Sequence, residues 1–374
     1  MCPVRKYTLA DISPQHAQGS RITYRHPAQK FATAPHTRHL DSVEEIRQRL
    51  QLTPSQAWAL VHAAHKSPPI AGDQTGTGNR DDLRAAVLER IPKGRPVPRG
   101  KAAYTLEDVD KAVEYVKKAP ITINMQFDRP IAGRTLADVL CQAPGLKNQW
   151  ETGTTGASSN LSQRAYVESW LGYASALPEG QPQIPAELPV YGALNILDSP
   201  YGGAPDVRYG KSHLVLKESV RDRATLTPTD SFSGSSDTAR TVMETAMSAS
   251  RRGATTEADR NSFEDAVQHV TARESVSALD PISILASQRL PMSLLKAIAA
   301  AATGKQPQTL ALLKQVGDDP EHSSYIEAQI HGGVRWDDVA EIVIDRRERD
   351  AEQILQKFQD LACQYPDLVV RYAK

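Results

Sequence analysis

The feature that most limits what this chain can fold into is a change of period at Pro120. Before it, apolar residues recur at helical spacing. The run Thr105-Leu-Glu-Asp108 has the pattern of a capping box, with Asp in place of Glu. It predicts a helix to about Lys118, stopped by Pro120. After it, Ile121-Thr-Ile-Asn-Met-Gln-Phe127 alternates apolar and polar residues, many of them β-branched, as a half-buried strand does. Segments of the same kind are expected at 150–155, 190–196, 213–217, 224–227, 325–330 and 341–344. Gly, Pro and Asp lie between them and set turns. Residues 237–315 return to a helical pattern rich in Ala, Ser, Glu and Arg, and a last helix is expected over 350–361. The fold class predicted is α+β, with a core of short mixed or antiparallel strands.

Residues 1–40 are polar and without sustained period, and read as a disordered leader. Residues 41–118 form a helical N-terminal region. Its helices are expected over 43–50 and 54–65, and from Asp81 or Asp82 as cap through Ile91. A catalytic domain is expected over 119–345, with a helical insertion at about 237–315, and a C-terminal helix within 346–374. Lys plus Arg and Asp plus Glu both total 44, so the net charge is zero, which argues against a general nucleic-acid binder. No apolar run approaches the length needed to span a bilayer. The three cysteines are far apart and suggest neither a disulfide framework nor a metal site.

Four clusters carry candidate chemistry. Arg129 leaves the first strand just before Pro130, and its planar guanidinium suits phosphate oxygens. Its ordinary alternative is a surface ion pair with Asp128. Asn148-Gln-Trp-Glu-Thr-Gly-Thr-Thr-Gly156 places hydroxyls beside glycines, where a ligand can approach the backbone. His213 reads more simply as a satisfied strand histidine than as a ligand, and Thr225-Leu-Thr-Pro-Thr-Asp-Ser231 ends a strand in hydroxyls and an acid. In Tyr325-Ile-Glu-Ala-Gln-Ile-His-Gly332, Glu327 and Gln329 share one strand face while Ile326, Ala328 and Ile330 take the other. An acid on an exposed face is the commoner outcome for a lone Glu. There is no HExxH spacing, no phosphate-binding glycine loop and no nucleophile elbow. What remains, in chain order, is an Arg, a hydroxyl-rich turn and a strand-borne Glu.

That order resembles the Arg–Ser/Thr–Glu arrangement of ADP-ribosyltransferases. The resemblance implies that Arg129 holds the phosphates of NAD and that Glu327 is the catalytic carboxylate. It gives Thr152 or Thr154 the Ser/Thr role. More narrowly, residues 119–345 look like a bacterial family with lines similar to Ile123-Asn-Met-Gln-Phe-Asp-Arg129, Asn148-Gln-Trp-Glu-Thr-Gly153, Tyr191-Gly-Ala-Leu-Asn195, Arg208-Tyr-Gly-Lys-Ser-His213, Arg223-Ala-Thr-Leu-Thr227 and Tyr325-Ile-Glu-Ala-Gln-Ile-His-Gly332. These lines add Gln149, Gly153, Tyr191 and Tyr325 to the expected NAD-binding set, with no metal. That family includes injected effectors that ADP-ribosylate a threonine of host ubiquitin and so block ubiquitination. The resemblance therefore implies a toxin-like enzyme delivered into the host cytoplasm, with ubiquitin as its partner. Two departures stand out. Gln126-Phe127 replaces a frequent His-Pro. Tyr325 occupies the place, two residues before the catalytic Glu, where arginine-modifying enzymes carry an acid or amide, which favours a hydroxyl acceptor.

Overall fold

A computed structural model describes residues 47–53, 56–57, 80–91, 104–152, 188–204, 209–231, 281–287, 289–305 and 325–373. The expected leader, the loop at 67–79, the linker at 93–101 and most of the insertion lie outside these residues.

The capping box forms as its residue types require. The Thr105 hydroxyl accepts from the Asp108 N–H at 3.3 Å, and the Asp108 carboxylate accepts from the Thr105 N–H at 2.7 Å. Helix α2 follows over Leu106–Lys118. Its predecessor α1 spans Arg80–Arg90, with Asp81 and Asp82 in the first turn rather than at a cap position, where they complement the helix dipole. Val109, Val113 and Val116 of α2 are buried; full burial of such a side chain contributes about 1.5–3 kcal/mol.

Strand β1 runs over Ile121–Met125, β5 over Val190–Leu194, β6 over Ser212–Leu216, β7 over Ala224–Thr227, β8 over Glu327–Ile330, β10 over Val339–Ile344 and β11 over Val369–Tyr372. They form one seven-stranded sheet in the order β11-β10-β6-β1-β5-β8-β7. Every pair is antiparallel except β10 and β11. That parallel pair is joined by helix α7, Ala351–Ala362, as a parallel pair must be by a crossover. The fold is thus mixed α+β. Two small ribbons complete it: β2 (Pro130–Ile131) with β3 (Arg134–Thr135), and β4 (Gly145–Leu146) with β9 (Val334–Arg335).

The strands named by their alternation are present: β1, β5 and β8 are two residues shorter than expected, β6 is shifted by one, β7 matches and β10 begins two residues earlier. The strand expected at 150–155 is not present. Residues Gln149–Thr152 form a short helix, α4. The cause is local: Asn148 Oδ1 accepts from the Glu151 N–H at 3.1 Å, and Glu151 Oε2 accepts from the Asn148 N–H at 3.0 Å. This reciprocal cap closes a helical turn where no period-two pattern opposes it. Helix α3 (Leu136–Gln142) and strand β11 are additional to the expected elements. Within the expected insertion, helices α5 (Pro281–Ala286) and α6 (Met292–Thr303) are both described.

One face of the sheet is apolar. Ile121, Ile123, Leu194, Leu214, Leu226, Ile326, Ala328, Ile330 and Ile342 join a single core with buried residues of α1, α2, α5, α6 and α7. The helices that precede the sheet therefore share its core. Phe127, Phe358 and Trp336 stack through this layer, with ring centroids at 4.7 and 6.4 Å. The Trp336 indole N–H donates to the Ala143 carbonyl at 2.8 Å. Buried Arg90 donates to the carbonyls of Leu285, Ser287 and Leu290, so the C-terminal end of α5 and the chain beyond it satisfy the cation.

Candidate functional site

The other face of the same strands is polar. Paired residues in adjacent strands share a face. One row therefore reads Thr227, Glu327, Ala193, Thr122, Val215, Glu341, and the next reads Thr225, Gln329, Tyr191. The expectation that Glu327 and Gln329 share a face, with Ile326, Ala328 and Ile330 behind them, holds. Glu327 is not the exposed acid that such a position often gives: it is 5 % exposed, and Gln329 is fully buried.

Burial obliges these groups to hydrogen-bond, and they do so as a directed chain. Gln329 Nε2 donates to Glu327 Oε1 at 2.8 Å and to Thr227 Oγ1 at 3.1 Å. Gln329 Oε1 accepts from the Thr225 hydroxyl at 3.0 Å. That hydroxyl has one proton, so at 3.1 Å it accepts from His331 Nε2. The tautomer of neutral His331 is thereby set. Burial pushes its pKa down to about 3, with Arg223 adding to the effect. The Thr227 hydroxyl donates to the Thr229 carbonyl at 2.9 Å. Glu327 Oε2 accepts from the Ser231 backbone N–H at 3.4 Å. Both oxygens of Glu327 thus face neutral donors, an arrangement suited to a carboxylate.

The turn after β8 is fixed from below. Arg223 Nη1 donates to the carbonyls of His331 at 2.6 Å and Gly333 at 2.5 Å, and Nη2 pairs with Asp338 at 2.7 Å. Gly332 and Gly333 have φ of 81° and 74°, which glycine adopts without strain. Tyr325 is buried beside Ala193 and Ala204. Burial, then the charges of Glu327 and Asp230, hold its phenol far above the usual range, so it is neutral.

The structure brings Glu327, Gln329, Tyr191 and Tyr325 together on one face. Arg129 stands elsewhere. The β1 residue in the row of Glu327 is Thr122, roughly 10 Å of strand before Met125. Arg129 follows the end of β1, in the turn 126–129. Its guanidinium makes no ion pair with Asp128, and none with any other described residue. Thr152 and Gln149 lie on α4, which Asn148 tethers to the Leu188 carbonyl at 3.0 Å, just before β5. The Thr152 hydroxyl donates to the carbonyls of Asn148 and Gln149 within its own turn. Gln149 Nε2 is buried with no hydrogen-bond partner among the described residues. Gly153 and Thr154 lie outside those residues.

Among the described residues, the hydroxyl-bearing residues next to Glu327 are Thr227, opposite it on β7, and Ser231, whose N–H it accepts; Thr225 reaches it through Gln329. Their signal in the sequence is the two-residue spacing of Thr225 and Thr227, which matches that of Glu327 and Gln329. Ser231 is 3 % exposed, and its Oγ has no partner among the described residues. His213 is a satisfied strand histidine: its Nδ1 lies 3.2 Å from the Lys211 carbonyl, and burial lowers its pKa to about 4.

The loop 198–204 lies across the middle of this face. The Gly203 N–H donates to Thr122 Oγ1 at 2.8 Å, the Ala204 N–H to Asn124 Oδ1 at 3.1 Å, and Asn124 Nδ2 to the Tyr201 carbonyl at 2.7 Å. A Cβ at Gly203 would meet the Leu194 carbonyl at 2.6 Å, so the close approach requires glycine there.

Among the described residues no group of His, Cys, Asp and Glu side chains is placed to hold a metal ion, and no helix is long and apolar enough to cross a membrane. No curated protein matches the sequence. The model of one family, described as "Protein of unknown function (DUF3626)", matches residues 121–373, more than half of the chain and all of the main sheet. The strands that build both faces are those the match spans, and the chain belongs to the DUF3626 family.

Proposed function

We propose that this protein is a mono-ADP-ribosyltransferase that moves ADP-ribose from NAD to a protein hydroxyl, a threonine of host ubiquitin by the resemblance of its motifs. The observation that carries the reading is Glu327: a buried carboxylate on the polar face of a sheet, held by Gln329 and the Ser231 N–H. Fixed charge in a water-poor setting stabilises developing opposite charge strongly, because no reorganisation is needed. The adjacency of β1, β5 and β8, with an Arg129 just past β1 that makes no ion pair among the described residues, suits the ADP-ribosyltransferase arrangement.

In this reading Arg129 binds the pyrophosphate through its paired donors. The bond from the ribose anomeric carbon to the nicotinamide nitrogen breaks. Its electron pair leaves with neutral nicotinamide, and Glu327 stabilises the oxocarbenium-like ribose. The acceptor oxygen forms the new bond to that carbon, and its proton passes to Glu327 or to water. The hydroxyls beside the carboxylate are those of Thr227 and Ser231, which take the role that the motif order gives to Thr152 or Thr154. Neutral Tyr325 lines the acceptor side and suits a hydroxyl better than a guanidinium.

The test is mass spectrometry of ubiquitin after incubation with NAD and the protein. A mass increase of one ADP-ribose on a threonine is expected, with loss of at least about a hundredfold in rate for Glu327→Gln. NAD consumption independent of ubiquitin would make the protein an NAD glycohydrolase instead. No NAD binding by calorimetry would make it a non-catalytic binding module and overturn the reading.

A further inference from the structure

The turn that carries Arg129 is held from several sides, and one of them is closed by an acid. Phe127 anchors it below, fully buried against Phe358. The carbonyls of Phe127 and Arg129 accept from the N–H groups of Ala137 and Leu136, at 3.0 and 2.8 Å. The Arg129 N–H donates to the Gln126 carbonyl at 3.2 Å. On the remaining side the turn meets the loop after β10, and there the bonding is reciprocal. Glu348 Oε2 accepts from the Asp128 N–H at 3.1 Å, and Asp128 Oδ2 accepts from the Arg349 N–H at 3.1 Å.

The Ser212 oxygen accepts from the Asp345 N–H at 2.7 Å. Glu348 and Asp128 thus tie the turn after β1 to the loop after β10, and Ser212 ties the start of β6 to the end of β10. Glu348 is half-buried, and its Oε1 has no partner among the described residues. Burial, with the Asp128 charge nearby, raises it to about 7. Its bond falls on the backbone one residue before Arg129, which makes no ion pair among the described residues.

We infer that Glu348 is a positioning residue: with Asp128 it staples the loop after β10 to the turn 126–129 and so sets where Arg129 presents its guanidinium to a dianionic pyrophosphate. The inference rests on the proposed NAD chemistry. Arg129 is the group that touches the ligand; Glu348 acts through the backbone of Asp128.

The experiment compares Glu348→Ala and Glu348→Gln in steady-state kinetics with varied NAD, alongside thermal unfolding and amide hydrogen exchange at Asp128. Glu348→Ala should raise KM for NAD about tenfold with kcat within about twofold, since a charge-assisted bond to the turn is lost. Asp128 amide protection should fall in the same variant. Glu348→Gln keeps an acceptor oxygen of the same reach and resembles the protonated acid, so it should restore KM. An unchanged KM in Glu348→Ala, or a kcat loss that merely follows the folded fraction, overturns the inference while leaving the transferase reading intact. A wild-type protein that neither binds nor turns over NAD overturns the transferase reading, and the role assigned to Arg129 and Glu348 falls with it.

Discussion

The two faces of the main sheet use the same strands and are held in opposite ways. On the helix side, Ile326, Ala328 and Ile330 of β8 meet apolar side chains, and their contribution grows with area removed from water. On the far side, Glu327, Gln329 and His331 alternate with them and are just as buried, yet each polar atom needs a specific partner. The apolar face tolerates exchange among groups of similar volume. The polar face has a direction, from His331 through Thr225 to Gln329 and then Glu327, and a single reversal leaves two donors or two acceptors face to face. The comparison teaches that one strand can supply the fold with one set of residues and a candidate site with the other.

The harshest way to break this division is to put the chemistry of one face onto the other. Ala328→Asp sets an unpaired charge in the apolar layer and should cost more than about 4 kcal/mol, enough to leave little folded protein by circular dichroism. Gln329→Leu keeps the volume but removes three hydrogen bonds, those to Thr225, Thr227 and Glu327. A loss of roughly 2–3 kcal/mol in urea unfolding is expected, with a larger fall in ADP-ribose transfer than the folded fraction explains. If stability falls and transfer does not, the chain of hydrogen bonds serves the fold alone.

The gentlest probe is pH. The folded pKa of His331 is about 3 and that of His213 about 4, both below the ~6.5 of an unfolded histidine. Between those values the unfolded chain binds more protons, so stability rises with pH across the window. The contribution is fully present above about pH 6.5 and is lost as pH falls toward the folded values. The two histidines together favour pH 7 over pH 5 by about 3–4 kcal/mol. Glu348, raised to about 7, works in the opposite sense over the same window, and denaturant midpoints at the two pH values should differ by the equivalent of about 1–2 kcal/mol. His331→Asn should have the flatter profile; equal slopes in the two proteins would mean that His331 is not buried neutral.

Much of the apolar face was legible in the sequence, because alternation and capping are local. The strands at β1, β7, β8 and β10 follow from period two, and Thr105 with Asp108 announces α2. The shared face of Glu327 and Gln329 follows from the same count. Which strands become neighbours did not follow. Nothing local in Thr225-Leu-Thr227 says that it pairs with Glu327-Ala-Gln329, so the sequence does not single out these hydroxyls, whereas it does offer Thr152 and Thr154. The helical turn at α4 was hidden because Asn148 and Glu151 cap each other through side chains, against a background of Gly and Thr that resembles a turn or short strand. β11, four residues long, has its place only through α7 and β10. Glu348 was silent for a related reason: its partners Asp128 and Ser212 are distant in sequence, and an acid among arginines reads as a solvated loop.

The strand order has a further consequence, for the way the molecule comes together. β6 and β1 sit at the middle of the sheet, but β6 lacks one neighbour until β10 arrives, and β5 lacks one until β8 arrives. Both late strands belong to the last third of the chain, as does the loop that carries Glu348. Such non-local pairings are slow to form because chain closure must precede the contacts that reward it. The groups proposed to handle NAD are therefore among the last to be assembled. A chain still being synthesised, or one partly unfolded from its C-terminal end, holds Arg129 on a loose turn and Glu327 on no sheet at all. If these groups act as proposed, reactivity waits until folding is nearly complete.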